Sequence, residues 1–570
     1  MWPFRTSVAG IVRENGLIEQ SSPPHRTKKG RLLLWPAVAL AAAYLLTGAL
    51  LIDPYLTNAD AVSYITIAQK YARGDFAGAV NGYWAPLLSW LLALPVLAGA
   101  NPILAAKALN LLAGLALAAG LFLLGRRFGL PRGLRLGLAL LSLPIILFRY
   151  ALGHISPDLI VAAILVFYLD LVFAPDFFER RAAWLWTGVL GAAAYFAKSY
   201  AFFFVLVHFI VLSTIRFWET PAGSGRRRVI GKAAGALLVF LALSGVWITA
   251  ISLKYGGLTI SHSGSIAFGL QAPDSKGHFT SARHLIASPD APSVSAWEDP
   301  SLELHPGAWE PLSSAEGSKH LLVELWENGR DILSVLGKFS LWSFVLIPLA
   351  AILSFRPRKH RPALLAFLTL AIYSGGYMIV GVNSRYLYLD EVLILLLGGY
   401  ALGLALGTLE RRGRALAAAS ALAMALPFLL TPYSLSREFR ADHPGLFGGG
   451  STGPGPAVHR ISRRVIEALD RYDPPEARKR RPLLASDCCY QNTLSLAYYA
   501  GCGYAGIIPG KDSPADAERE LREMKVDYLV LWDVGKKRYP FLAGCPQVTG
   551  SVELQPRLID VTRLWKGYRP

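Results

Sequence analysis

Apolar stretches about as long as a bilayer is thick constrain this chain more than any other feature. A helix needs ~20 residues to cross the hydrocarbon core. Runs of that order recur at Leu32–Ile52, Ala108–Gly125, Ala233–Leu253, Ala363–Ser384, Val392–Leu409 and Ala415–Ser436. Shorter runs occupy Ala182–Ala197, Ser199–Ile215 and Phe339–Phe355. Two more, at 133–153 and 157–175, carry Arg149 and Asp170 near one end, where a charged side chain can reach the interface. Taken together they predict a polytopic α-helical membrane protein of about eleven transmembrane helices. Composition agrees: 53% of the residues are hydrophobic and 17% charged, against about 25% charged in soluble globular domains. The four cysteines (Cys488, Cys489, Cys502 and Cys545) lie near the C-terminus without metal-type spacing, which excludes a disulfide-dense secreted scaffold. The first apolar run follows a basic, proline-containing stretch and is too long for the core of a cleaved signal peptide.

The net charge of +18 comes from bases clustered between the apolar runs. That is the pattern of cytoplasmic loops rather than of a nucleic-acid surface. With the N-terminus inside, Arg26, Lys28, Lys29 and Arg31 are cytoplasmic. Arg126–Arg127–Arg132–Arg135, Arg180–Arg181, Arg226–Arg228, Arg356–Arg361 and Arg411–Arg414 then follow them to the same side. This holds only if Trp84–Ala100, which contains Pro86 and Pro95, stays interfacial or re-entrant instead of crossing.

The expected divisions are a cytoplasmic segment 1–31, a transmembrane unit 32–436, a glycine-rich linker 437–456 and an extracytoplasmic α/β domain 457–570. Two long outer loops, 53–107 and 254–338, belong to the transmembrane unit. In the tail, Arg481–Ser486 and Val526–Trp532 read as short buried strands and Ser513–Met524 as an amphipathic helix. The glycine-rich stretch 445–455 has no following Lys-Ser/Thr and no preceding strand, so it is a linker and not a phosphate loop.

The first outer loop is the most informative. Asp60 and Tyr64 are spaced i, i+4 and share one face of a helix. An Asp opening a helix is commonly an N-cap, but Asn58 can fill that position and release Asp60 for chemistry.

The order of motifs resembles a family. After the first membrane helix come Asp60 and Tyr64, then Ala68–Asp75 (AQKYARGD), then an aromatic and Ala85-Pro86-Leu87-Leu88 opening an apolar helix. Further on stand Gly153–Asp158 (GHISPD), Gly188–Lys198 (GVLGAAAYFAK) followed by Ser199, and Ser384-Arg385-Tyr386-Leu387. Over roughly residues 32–410 this set is similar to the C-type superfamily of lipid-linked-sugar glycosyltransferases, which includes protein mannosyltransferases and lipid A aminoarabinose transferases. Two departures stand out. Relatives often carry a second acid after the loop Asp, where this chain has Ala61, and many have His or Pro where it has Ala85.

The resemblance implies a membrane glycosyltransferase that moves a sugar from a polyprenyl-phosphate donor to an extracytoplasmic glycolipid, polysaccharide or protein. Its site would lie on the outer side of the cytoplasmic (inner) membrane. By family analogy the reaction is an inverting displacement, which requires one base and a good leaving group. Asp60 is the expected base, and Asp158 an orienting partner, a ligand or a second candidate base. The departing phosphate needs cations. Lys198 and Arg385 sit at outer ends of spans, with Arg149 a third candidate and Tyr64 and Tyr386 as neighbours on the substrate side. Against these roles stands plain snorkelling to the headgroups, most of all for Arg149. No cofactor is required. A divalent metal held by Asp60, Asp158 and His154 stays open, although no HxxxH or His–Glu pair calls for it. The competing readings are a transporter or flippase, and a ligase or polymerase, of lipid-linked glycans. A transporter would be expected to show pseudo-repeated halves, and none is visible.

Overall fold

The computed structural model describes residues 34–52, 58–273, 275, 283–303, 309–409, 454–510, 513–532, 539–549 and 556–566, with positions 422, 426, 428, 430, 431 and 437. The expected segment 1–31, nearly all of Ala415–Ser436 and most of the linker lie outside the described residues.

The helices that build the apolar unit are α1 (Leu34–Leu51), α2 (Ala59–Ala72), α3 (Leu87–Leu97), α4 (Pro102–Leu124), α5 (Arg132–Ile145), α6 (Asp158–Val172) and α7 (Ala183–Ala197). They continue with α8 (Tyr200–Glu219), α9 (Ser224–Tyr255), α10 (Ala315–Phe339), α11 (Ser343–Ser354), α12 (Arg361–Val380) and α13 (Tyr388–Leu409). Among the described residues, six stretches are long and apolar enough to cross a membrane: Pro102–Phe128, Arg132–Ala151, Tyr200–Glu219, Ser224–Tyr255, Arg361–Val380 and Ser384–Leu406. Counting the bent pair α10–α11 as one span makes seven. The expected eleven is not reached on length. Helices α6 and α7 have 15 residues each, because Pro157 and Lys198 break the chain at their ends. The run Phe339–Phe355 is not one straight span either. The chain turns by 112° between α10 and α11, and the expected outer loop 254–338 ends in helix α10, which runs to Phe339.

Helix α3, with Pro95 inside it, has 11 residues. At 1.5 Å per residue it is about 16 Å long, roughly half the ~30 Å hydrocarbon thickness.

Small residues let the bundle close. A Cβ on Gly188 of α7 would lie 2.7 Å from the carbonyl oxygen of Ala236 on α9, so only glycine permits that approach. Pro144 near the end of α5 lacks an N–H, and residues Ile146–Ala151 widen into a π-helical turn.

The basic junctions gather at one end of the bundle. Arg126 Nη2 and Arg127 Nε bind Asp170 at 2.5 and 2.9 Å, and Arg361 Nη1 meets Glu219 at 2.6 Å. The acidic turns opening α2 and α6 lie at the other end, tied together by Asn58. Its Nδ2 donates to the Ile155 carbonyl at 3.0 Å and its Oδ1 accepts from Ile155 N at 3.1 Å. Asn58 is indeed at the N-cap position, but it makes no side-chain cap bond to its own helix.

The C-terminal unit carries α14 (Pro454–Tyr472), α15 (Tyr490–Tyr499) and α16 (Pro514–Glu523) around a four-stranded sheet. Its strands β1 (Leu483–Ser486), β2 (Gly503–Ile507), β3 (Tyr528–Leu531) and β4 (Arg557–Asp560) run in the order β2-β1-β3-β4. The β1 pairs are parallel and β3–β4 is antiparallel. The two strands and the helix expected from sequence are present; β2, β4, α14 and α15 are additional. All four cysteines are free thiols.

This domain is fastened to the helices by residues 283–303. Ile286 N donates to Ala505 O at 2.8 Å, and Tyr504 N to Val294 O at 2.7 Å, covering the outer edge of β2. Ser63 Oγ and Trp84 Nε1 each donate to Trp297 O at 3.1 Å. Asn81 Nδ2 reaches Glu298 O at 2.7 Å, and Lys70 pairs with the Glu298 carboxylate.

Candidate active site

Four charged side chains from four separate segments converge where α2, α6, α7–α8 and α12–α13 meet. Asp60 lies in the first turn of α2 and Asp158 opens α6, each carboxylate near the positive end of a helix dipole. Lys198 is the first of two residues, Lys198 and Ser199, that separate α7 from α8; it is in extended conformation (φ −151°, ψ 122°), so its side chain leaves the helical path. Arg385 sits on a 3₁₀ turn, Ser384–Leu387, capped by Asn383 Oδ1, which accepts from Arg385 N at 3.3 Å.

Lys198 Nζ lies 2.5 Å from Asp158 Oδ1, and Arg385 Nη2 lies 2.5 Å from Asp60 Oδ2. Arg385 Nε forms an ion pair with Asp158 Oδ2 at 3.5 Å but makes no hydrogen bond among the described residues. Lys198 also stands 3.4 Å above the Tyr386 ring, a cation–π contact. Tyr386 stacks on Tyr377 and Tyr377 on Tyr200, with centroid distances of 5.0 and 3.9 Å.

These residues line one cavity of about 1130 Å³. Asp60, Tyr64, Asp158, Lys198, Arg385 and Tyr386 all border it. Arg149 does not. It is turned into the bundle, where its Nη2 and Nε bind the fully buried Glu391 carboxylate at 2.5 and 3.0 Å. Tyr150 donates to the same carboxylate. His154 is exposed on the turn before Asp158 and is not part of the lining. Among the described residues no three His, Cys, Asp or Glu side chains gather as a metal site.

Other lining residues had no sequence signal of their own. Tyr83, Trp84 and Trp297 form a chain of edge-on aromatic contacts, with Tyr83–Trp84 and Trp84–Trp297 centroids 4.7 and 5.3 Å apart. Gln491 comes from the start of α15 in the C-terminal domain. Ser261 and Ser263, from the Ser-Gly stretch 261–265, also line it.

A helical bundle with the short helix α3, two acidic turns and two cations at one end, and a small α/β domain fastened there, is an overall fold shared with solved structures of glycan-transferring membrane proteins. The chain is similar to ArnT from Cupriavidus metallidurans bound to undecaprenyl phosphate, at 15% identity and a TM-score of 0.53, over 95% of this chain and 100% of that one. It is also similar to the Archaeoglobus fulgidus oligosaccharyltransferase in complex with Zn and sulfate, at 14% identity and a TM-score of 0.52, over 88% of this chain and 69% of that one. At such identities the likeness is one of fold. No protein-family model and no curated protein sequence matches the chain.

Proposed function

We propose that the protein is an inverting glycosyltransferase that moves a sugar from a polyprenyl-phosphate donor to an extracytoplasmic acceptor. The observation that carries this reading is the meeting of Asp60, Asp158, Lys198 and Arg385 around one cavity. Two bases are poised for a phosphate and two acids stand beside them. The ArnT structure of similar fold was obtained with undecaprenyl phosphate bound, which supports a lipid phosphate as the ligand class.

On this reading the donor phosphate enters between Lys198 and Arg385 and takes over donors now held by the carboxylates. Arginine has five N–H donors and suits two phosphate oxygens at once, and Nε, which makes no hydrogen bond among the described residues, is one of them. Asp60 then loses its cation and becomes the base. It removes the proton of the acceptor hydroxyl as that oxygen attacks the anomeric carbon. The bond from anomeric carbon to phosphate oxygen breaks, and the polyprenyl phosphate leaves with its charge against Lys198 and Arg385. Asp158 holds Lys198 in place. Because the chain's own cations neutralise the leaving group, the step runs without a metal, and transfer is expected to survive chelation.

The orientation proposed places the N-terminus in the cytoplasm, and the cavity and C-terminal domain outside the cytoplasmic membrane. Helices α1, α6, α7 and α11 are counted as short spans, giving about eleven crossings with Ala415–Ser436. In support, the α5–α6, α7–α8 and α12–α13 junctions all reach the cavity, which requires them to share a side.

The test is transfer of radiolabelled sugar from an undecaprenyl-phosphate donor to envelope acceptors, with wild type and Asp60→Asn. Wild type is expected to transfer, and the variant to insert and fold but run about 10²–10⁴-fold slower. Equal turnover would remove Asp60 as base. Movement of intact lipid-linked glycan across the bilayer without transfer would replace the enzyme reading with a transporter.

A further inference from the structure

We propose that one wall of the cavity is a subsite for a neutral, hydroxyl-bearing sugar, with Ser199 Oγ as the atom that accepts a ring hydroxyl of the donor. The inference rests on the lipid-phosphate reading above and adds the chemical class of the sugar.

Three serines form a hydroxyl relay with a fixed direction. Ser261 Oγ donates its proton to Gly82 O at 3.0 Å. Ser261 Oγ and Ser263 Oγ are 3.0 Å apart, and Ser263 Oγ and Ser199 Oγ 2.8 Å. A serine hydroxyl has one proton and two lone pairs. With the Ser261 proton committed to Gly82, Ser263 must donate to Ser261, and Ser199 to Ser263. Ser261 is saturated, since it also accepts from Ser263 N at 3.1 Å. Ser199 Oγ, at the open end, presents lone pairs to the cavity it lines. The far end of the relay is held firmly: His262 N donates to Gly82 O at 2.8 Å, and Tyr195 Oη to Ile260 O at 2.8 Å. Ser199 follows Lys198 in the chain and lines the same cavity, so the relay's open end and the phosphate-binding cations share one space.

Charge decides the class of sugar. Among the described residues, the charged side chains lining the cavity are Asp60, Asp158, Lys198 and Arg385, two of each sign. With the donor bound, Asp158 still holds Lys198, and Asp60, the proposed base, is engaged by the acceptor hydroxyl. An amino sugar would bring an ammonium with no carboxylate set aside for it, and a uronic acid would bring a carboxylate that competes with the phosphate for the same two cations. Thr259, Asn383 and Gln491 continue the polar lining, and all are neutral. Asn383 commits its carbonyl oxygen to Arg385 N, which leaves its amide protons to donate to a sugar oxygen.

The experiment measures protection of the purified full-length protein from thermal unfolding. The probes are undecaprenyl phosphate alone and undecaprenyl phosphate carrying a neutral pentose or hexose, an amino pentose or a hexuronic acid. At least one neutral-sugar lipid should bind about fivefold or more tighter than the bare lipid phosphate, the worth of one ordinary hydrogen bond. The amino and acidic forms should bind no tighter than the bare lipid. Ser199→Ala should bring the ratio of glycosylated to bare affinity close to one, and Ser199→Thr should restore it. An amino or acidic sugar bound more tightly than every neutral one overturns the inference and leaves lipid-phosphate binding standing; so does an unchanged ratio in Ser199→Ala. If Ser199→Ala does not fold, the donor series on wild type decides alone. Failure of bare undecaprenyl phosphate to protect at all would remove the underlying reading, and the sugar subsite with it.

Discussion

Arg385 reaches across 325 residues to Asp60 and faces Asp158 as well, so it holds together the two acidic turns of the cavity. Its flat guanidinium, not its charge alone, makes this possible. Arg385→Lys keeps the charge but offers a single ammonium, and binding of undecaprenyl phosphate is expected to fall at least about tenfold, as for loss of a charge-assisted hydrogen bond. A side chain that merely snorkels would tolerate the change, so equal protection from thermal unfolding in the two proteins would refute the clamp. At this scale the sequence is partly legible. The i, i+4 spacing of Asp60 and Tyr64 and the lone Lys198 between two apolar runs can be read directly. That each acid already carries a basic partner cannot, because the partners meet only when distant segments pack.

At the scale of elements, the buried pair Arg149–Glu391 corrects the expectation that Arg149 faces the headgroups or a phosphate. The π-turn after Pro144 rotates Arg149 inward, and Glu391, on the first turn of α13, meets it. Tyr388 Oη adds a bond to Arg149 O at 3.3 Å. The pair therefore locks the segment before Asp158 to the segment after Arg385. Removing one member leaves the other charged and buried, which typically costs about 3–5 kcal/mol. Glu391→Ala should lower the unfolding temperature strongly. The double variant Arg149→Ala with Glu391→Ala should be less destabilised than the sum of the singles. Additive losses in a thermal-shift cycle would mean the two are not coupled. The π-turn is hard to see in sequence, since Pro144 marks a break without saying which way the next side chain will turn.

At the scale of the molecule, the basic junctions and the acidic turns occupy opposite ends of the bundle, and the α/β domain is fastened to the acidic end through residues 283–303. A C-terminal reporter active only outside the cytoplasm should therefore work, and one active only in the cytoplasm should not. The reverse would mean that Trp84–Ala100 crosses the bilayer and that the proposed orientation is inverted. The domain is more than an appendage, since Gln491 borders the cavity and Tyr490 Oη reaches Ser295 Oγ at 3.3 Å.

Local physical rules are enough to read the membrane class, the basic junctions, the α/β tail and the order of the charged motifs. Hydropathy, loop charge and helix spacing are properties of neighbouring residues, and a one-dimensional reading captures them. Span lengths, the bend between α10 and α11, the inward turn of Arg149 and the serine relay at the cavity wall were decided by the tertiary structure. Each depends on which distant groups supply a hydrogen bond or a counter-charge once water is excluded, and that choice is made only when the helices pack.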